Sequence, residues 1–255
     1  MSTPTLDLRP APGAAPAARR VLRHGLTEAR LLVRNGEQLV LALVIPLGLL
    51  VVAALADGRL LPLRELAPSV LGLAVWSSAF TSLAIATGFE RRYGVLERLA
   101  ATPLGRGGLL AGKALAVVLV LLGQLAVLSV VALLPGWRPT VTAASLLGAA
   151  ALVVLAASAF AALALLLAGR LRAEVTLACA NLVYVVLLVG GALLIPLARY
   201  PSALQPVVQL LPTAALGEGL RAASSGAVPG WPFAVLIIWL LVAALAAWKG
   251  FRWTS

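Results

Sequence analysis

Charged side chains, aromatic side chains, cysteine and histidine are all scarce in this chain of 255 residues. Only 11% of the residues are charged and 62% are hydrophobic, whereas a typical soluble domain has about 25% charged residues. The chain has too little polar surface to cover an exterior that faces water, which excludes a soluble globular enzyme and a disordered tail protein. The aromatic content of 5% also disfavours an outer-membrane barrel, whose strands carry aromatic girdles.

The single cysteine, Cys179, and the single histidine, His24, limit the chemistry that the chain can perform. One cysteine cannot form a disulfide framework or a multi-cysteine metal site. With one histidine, and with no serine or cysteine beside a plausible base, no hydrolytic constellation can be built either. We therefore expect a non-catalytic chain that holds no metal.

Long apolar runs that lack charged residues take up most of the sequence. A helix needs about 20 residues to cross a hydrocarbon core of about 30 Å. The sequence therefore predicts an all-α polytopic membrane protein. Its domain of six transmembrane helices covers residues 38–255, with spans at about 38–56, 70–89, 110–134, 141–168, 175–198 and 233–248.

Basic residues are distributed unequally between the two sides that six spans define. Fifteen of the 20 Lys and Arg residues lie on the side of the termini, in segments 1–37, 90–113, 169–174 and 249–255. Cytoplasmic loops carry an excess of Lys and Arg, so we expect both termini in the cytoplasm. Because the basic residues lie between apolar runs, they indicate which loops face the cytoplasm and do not indicate a nucleic-acid partner.

The N-terminal segment divides into two parts. Residues 1–18 are rich in proline and alanine, which predicts a disordered cytoplasmic tail. Residues 19–37 place Leu22, Leu26 and Val33 on one side of a predicted helix and arginines elsewhere on its surface. Such a helix is expected to lie in the inner membrane interface. The alternative is an ordinary charged flank that only obeys the positive-inside bias.

The cytoplasmic stretch from Phe89 to Lys113 combines both signs of charge with apolar residues at helical spacing. We expect one short amphipathic helix over residues 90–101, which Thr102-Pro103 ends because the residue before proline is pushed out of the α region. This helix could dock on a soluble partner. Equally, the stretch could be a solvated loop whose arginines only set topology.

The outer region from Arg199 to Pro232 is too apolar for a fully solvated loop, and its prolines and glycines prevent one continuous helix. We expect short helices that re-enter the outer leaflet or pack over the spans. Glu218 and Arg221 are three residues apart and can form a pair within this region.

A few polar side chains lie within the predicted spans. Hydroxyls recur at helical spacing on the second span, at Ser77 and Thr81 among others, and Asn181 and Tyr184 lie on one face of the fifth. These four residues could line a substrate path. Alternatively, the hydroxyls could serve close helix packing, and the larger polar groups could find partners on facing helices.

The segment from Gly107 to Ala114 nearly matches the phosphate-binding loop G-x-x-x-x-G-K-[ST]. Its last position is Ala114, which has no hydroxyl for Mg²⁺, and no parallel-sheet domain is predicted around it. We therefore expect that any ATPase activity belongs to another chain.

The stretch from Phe89 to Lys113 resembles the first cytoplasmic loop of type-2 ABC transporter permeases. The matching positions include an acidic residue, a Gly-x-Leu-Glu-x-Leu run and a Thr-Pro-Leu run that ends in Leu-x-Gly-Lys: Glu90, Gly94, Leu96, Glu97, Leu99, Thr102, Pro103, Leu104, Arg106, Leu110, Gly112 and Lys113. Leu211-Pro212-Thr213 and Glu218-Gly219-Leu220-Arg221 resemble the outer segment of that family. The six-span plan and the interfacial helix also match.

The resemblance implies a function and a set of partners. The loop helix would be the coupling helix, which docks on a separate ATP-binding subunit; the residues in that role would be Glu90, Arg91, Arg92, Gly94, Leu96, Glu97, Arg98, Thr102 and Pro103. The complex would contain two ATP-binding subunits, which hold the ATP and Mg²⁺, and a second permease chain, identical or homologous. This chain would need no cofactor. It would lie among membrane lipid in the bacterial cell (inner) membrane.

The implied activity is ATP-driven export of an amphipathic drug, a lipid or a similar hydrophobic substrate. The first, second and fifth spans would border the path between the two permease halves. Two alternatives come from other classes. A membrane-embedded lipid-handling enzyme or assembly factor would need polar catalytic residues at the interface. A self-sufficient secondary transporter would show related halves and charges within its spans.

Overall fold

The computed structural model describes residues 13–34, 36–55 and 62–252, without the side chains of residues 36–42 and 54. Most of the predicted N-terminal tail, residues 1–12, lies outside the described residues. Eleven α-helices follow one another within the described ranges: α1 Ala17–Arg34, α2 Gly36–Leu55, α3 Leu63–Trp76, α4 Leu83–Arg92, α5 Val95–Ala100, α6 Gly105–Leu133, α7 Ala143–Arg170, α8 Ala173–Gly190, α9 Gln205–Val208, α10 Pro212–Ser224 and α11 Trp231–Gly250.

The expectation of a helical membrane protein is confirmed. Five helical stretches are long and apolar enough to cross a bilayer: Leu63–Arg92, Gly105–Leu133, Ala143–Arg170, Ala173–Gly190 and Trp231–Gly250. Helix α2 coincides with the predicted first span and has 20 residues, and its stretch Leu43–Ala53 is apolar. Length and composition therefore support five candidate spans among the described residues, and the count of six stays a prediction.

The second and fifth spans differ most from the bounds that the sequence suggested. The second begins at Leu63 instead of residue 70, and the charge of Glu65 in its first turn is paired with Arg199. The fifth ends at Gly190 instead of residue 198. At Gly191 a Cβ atom would collide with the Leu187 carbonyl and the Thr213 side chain, and the next residue, Ala192, has a positive φ of 50°. Only glycine fits this close approach, so the chain turns there.

The core lies where α3, α7 and α10 meet. The ring of Trp76 stacks on Phe80 at 4.3 Å between centroids and meets the edge of Phe160 at 4.7 Å. Leu216 of α10 and Leu236 of α11 are fully buried in the same cluster. The segment from Arg199 to Pro232 contains the short helices α9 and α10, and α10 packs between α3, α7 and α11. Re-entry into a leaflet stays a prediction.

The second span contains one irregular turn. Residues Ser77–Ser82 form a π-helix between α3 and α4, and this wider turn is often found at functional sites. Within it Ser78 donates a hydrogen bond of 2.6 Å to the side-chain oxygen of Gln124 on α6. The side-chain oxygen of the buried Gln124 therefore has its hydrogen-bond donor within this chain. Neither a second chain nor a water-filled cavity is required to supply that donor.

Candidate functional site

The segment predicted as one helix over residues 90–101 is two helices, so that prediction is wrong. Helix α4 ends at Arg92, and α5 begins at Val95. Gly94 between them has φ of +66°, in the left-handed region that side chains other than that of glycine avoid. The chain therefore changes direction at Gly94, and α5 is a separate helix of six residues.

Helix α5 is anchored on one side and free on the other. Leu96 is 1% exposed, whereas Glu97 and Arg98 are exposed. The guanidinium of Arg98 donates hydrogen bonds to the carbonyls of Tyr93 and Gly94, so it braces the turn before the helix. In the described ranges Glu97 has no ion pair. The carboxylate of Glu97 can therefore pair with a basic group of another protein.

The turn after α5 is also fixed. The hydroxyl of Thr102 donates to the Leu99 carbonyl at 2.6 Å and accepts from the amide of Leu104 at 3.3 Å. Arg20 of α1 donates to the Pro103 carbonyl. Thr102 and Pro103 are exposed, so this turn extends the free surface of α5.

A charged cluster beneath α5 joins three helices. Lys113 of α6 is only 6% exposed, and its amino group lies 2.6 Å from Glu90 of α4 and 3.6 Å from Glu28 of α1. We call Lys113, Glu90 and Glu28 the lysine cluster. Opposite charges in a poorly hydrated place hold their helices in one arrangement, because separating them would leave a charge without a partner. Glu90 therefore points into the protein.

His24 borders the lysine cluster. Its imidazole lies 3.9 Å from Glu28 and packs so closely on Gly112 that a Cβ there would collide with the ring. Burial lowers the pKa of His24 below its usual value; Glu28 opposes that shift and Lys113 adds to it. The ring is therefore neutral at pH 7, and its contact with Glu28 is not an ion pair.

Two arginines connect the last turn of the second span to the beginning of the fifth. Arg91 is buried and donates a hydrogen bond to the carbonyl of Leu171, in the turn before α8. Arg92 is exposed and pairs with Glu174 in the first turn of α8. The predicted coupling residues thus separate into two groups. Glu90, Arg91 and Arg92 join helices, while Glu97, Thr102 and Pro103 face outward.

The near-match to a phosphate-binding loop lies in the first turns of α6, which is helical from Gly105 onward. In a helix the backbone amides bond to carbonyls within the helix, whereas a phosphate loop needs free amides that point at the ligand. The side chain of Lys113 is engaged in the lysine cluster. This geometry is not that of a nucleotide site.

The four predicted path residues lie on two helical stretches that pack against each other. Ser77 and Thr81 are half-buried on the π-helical turn, and α8, which carries Asn181 and Tyr184, contacts that turn. Asn181 is exposed and Tyr184 is half-buried. No hydrogen bond joins the two pairs in the part of the chain that the structure describes.

The outer region contains a second polar network, of which the sequence indicated only one pair. Arg221 is 9% exposed and donates to Glu218, as its spacing suggested. It also donates to Ser69 of α3 and to the carbonyls of Ala192 and Leu193. Arg221 thus fastens α10 to α3 and to the turn that ends α8.

Sequence reasoning missed the partners of Lys113 and the wider contacts of Arg221. Glu28 precedes Lys113 by 85 residues (from 113 and 28), and Ser69 precedes Arg221 by 152. No spacing pattern along the chain reports such pairs. The available signal was the basic residue itself, since a lysine or arginine flanking an apolar run needs either water or a partner.

One comparison with known proteins gives a match. The family model described as "ABC-2 family transporter protein" matches residues 63–249, which is most of the chain. The matched range begins at α3 and ends in α11, so it includes α5, the lysine of the cluster and the Arg221 network. Among curated proteins, none matches the chain.

Proposed function

Because the chain belongs to the ABC-2 family of transporter proteins, as a type-2 ABC transporter permease, we propose that it is the membrane-spanning subunit of an exporter. Separate ATP-binding subunits drive it by docking on α5. The cargo is an amphipathic drug, a lipid or a similar hydrophobic molecule, which leaves the cytoplasm or the inner leaflet. ATP and Mg²⁺ belong to the ATP-binding subunits, and this chain needs no cofactor.

The proposal rests on the contacts that hold α5 against the neighbouring helices. Its buried side and its flanking turns are fixed to α1, α4 and α6, and α4 is fixed to α8 through Arg91 and Arg92. A short helix held in this way passes a displacement on to the spans instead of bending. Its free side presents Glu97 beside the exposed turn at Thr102 and Pro103. A mixed polar surface of this kind suits a soluble partner.

The complex that follows has two permease chains, identical or homologous, and two ATP-binding subunits. Each permease chain contributes six spans, with α2 as the first. Both termini and α5 lie on the cytoplasmic side of a bacterial cell membrane. Helix α1 lies in the inner interface, where its exposed Leu22 and Val33 meet lipid and its arginines meet headgroups.

The path runs between the two permease chains along the second and fifth spans. Asn181 supports this placement, because its amide is exposed on a helix whose neighbouring exposed residues, such as Leu177, Leu182 and Val185, are apolar. An amide in hydrocarbon requires partners, and a cargo or a wet cleft supplies them. With few polar groups, such a cleft suits a cargo that enters sideways from lipid.

Charge reversal at Glu97 tests the docking surface. We expect Glu97→Lys to lower the amount of ATP-binding subunit that copurifies with the tagged chain at least tenfold. An ammonium would then face a partner surface that complements a carboxylate, and a cost of about 1.4 kcal/mol already weakens binding tenfold. The matched control is Lys249→Glu, which reverses an exposed charge at the inner end of α11. Undiminished copurification with Glu97→Lys, at normal expression, would place the docking surface elsewhere.

Substitution of Asn181 tests the path. Asn181→Leu removes an amide at similar size, so we expect substrate-stimulated ATP hydrolysis and export to fall by about threefold to tenfold while basal hydrolysis and assembly persist. Tyr184→Phe should act in the same direction. Ser129→Ala, which removes a half-buried hydroxyl from α6, is the control. Unchanged transport in both path variants would show that these groups only pack between helices.

A further inference from the structure

A deep crevice opens between the second, fourth, fifth and last spans of the same chain. Its volume is about 470 Å³. The walls are apolar and partly aromatic, and the outer end reaches the beginning of α10. Representative wall residues are Trp76, Phe80, Val183, Leu187 and Trp239.

One end of the crevice is basic. Arg170, in the last turn of α7, borders the rim of the crevice with the apolar part of its side chain. Its exposed guanidinium lies beside the rim, over Gly250 of α11, where a Cβ would come within 2.5 Å of a guanidinium nitrogen. Among the described residues, no carboxylate forms an ion pair with Arg170. The crevice therefore combines a long apolar wall with an available positive charge at the level of the inner headgroups.

The crevice is tall enough to accommodate an acyl chain of one leaflet. Helix α8 begins at Ala173, close to Arg170 in the chain, and Leu187 is fourteen residues further along it. At 1.5 Å per residue this wall rises roughly 20 Å, and one leaflet of a hydrocarbon core is about 15 Å thick. An acyl chain can therefore lie along the wall while the phosphate stays at the inner surface.

The crevice is separate from the proposed path. Successive residues of a helix differ by about 100° around its axis, so Val183 lies about 160° from Asn181 and Leu187 about 120° from it. The residues of α8 that line the crevice thus face away from the exposed amide. A molecule in the crevice would touch the back of the fifth span.

We propose that this crevice binds one phospholipid of the inner leaflet, with an acyl chain between Trp76, Val183 and Trp239 and the phosphate at Arg170. A phosphate oxygen accepts charge-assisted hydrogen bonds from a guanidinium, which holds the headgroup at the rim. The acyl chain fills apolar space that water would not hydrate favourably. The site depends on this chain alone and not on the ATP-binding subunits.

Native mass spectrometry of the full chain in detergent, with phosphatidylglycerol as the probe, tests the site. We expect binding to saturate at one tightly held phosphatidylglycerol per chain. Arg170→Gln should lower the bound fraction about tenfold by removing the charge. Leu166 is another wall residue of the crevice, and Leu166→Trp should lower the bound fraction similarly by filling the space. The matched controls are Arg34→Gln and Leu147→Trp, an exposed arginine of α1 and an exposed leucine at the other end of α7.

Each outcome decides the proposal. Loss of the bound lipid in the two crevice variants, with retention in both controls, supports it. Equal retention of phosphatidylglycerol in all variants, or an equal loss of it in the controls, would contradict the proposal. Either result would mean that lipid binds unspecifically around the spans. If Leu166→Trp does not fold, Arg170→Gln decides alone, since Arg170 is exposed. Equal binding of diacylglycerol, which lacks a phosphate, would overturn the role of Arg170 and would identify a general apolar occupant.

Discussion

Replacing Lys113 by methionine is expected to lower the free energy of unfolding by about 3 kcal/mol, because it leaves two carboxylates without their cation. Methionine has a similar length, so packing around the side chain is largely kept. Glu90 and Glu28, however, are 21% and 18% exposed and would face each other without Lys113 between them. Because the lysine cluster joins α1, α4 and α6, the loss should also loosen α5.

The measurement is thermal unfolding of the detergent-solubilised chain. For a chain of this size 1 kcal/mol corresponds to about 2–4 °C, so the midpoint should fall by roughly 10 °C. Lys249→Met removes an exposed lysine and should leave the midpoint nearly unchanged. A midpoint for Lys113→Met as high as that of the control would mean that the cluster contributes little. The triple change Lys113→Met, Glu90→Gln and Glu28→Gln should recover much of the loss, since it removes all three charges.

Replacing Arg221 by methionine is expected to destabilise the outer region by a similar amount, about 3 kcal/mol. The guanidinium donates to Ser69 at 2.6 Å, to the carbonyls of Ala192 and Leu193 at 2.7 and 2.9 Å, and to Glu218 at 2.8 Å. Removing the donor takes this partner from the carbonyls of Ala192 and Leu193, which are fully buried, and leaving a buried acceptor unsatisfied costs more than the net gain of each bond. The turn after α8 and the contact of α10 with α3 should loosen together.

The thermal midpoint again measures the effect, and protease cleavage between α8 and α10 localises it. Arg138→Met is the control, because that arginine is exposed and donates to the backbone only. Arg221→Lys should give an intermediate result, since an ammonium keeps the charge but lacks the planar set of donors. If Arg221→Met unfolds within about 3 °C of the control, then the network does not fasten α10.

The sequence predicted the helical membrane class because that class follows from composition and run length alone. The bounds of the fifth span could not be predicted in the same way. Residues up to 198 are apolar enough to continue a helix, and the end at Gly190 depends on contacts of Gly191 with Thr213 that only the folded chain creates. By contrast, the break at Gly94 had a local signal, because this glycine lies between two charged runs. The apolar residues around it recur every three to four positions, which suggested one continuous helix instead.

The candidate site was predicted as a segment but not as a set of contacts. Local spacing indicated that the loop contains a short helix with exposed charges, and α5 with Glu97 agrees. The same reasoning placed Glu90 and Arg91 on the docking surface, whereas the structure turns both toward neighbouring helices. Their partners, Lys113 and the Leu171 carbonyl, are distant in sequence. Helix periodicity cannot report a contact that forms between helices.

The central claim is that this chain works with ATP-binding subunits that dock on α5. The most direct test is the mass and composition of the complex obtained when the tagged chain is purified from its own membrane in mild detergent. The account predicts two permease chains, identical or homologous, with two ATP-binding subunits, and release of those subunits by Glu97→Lys. A complex of this chain that exports its cargo and contains no ATP-binding subunit would contradict it.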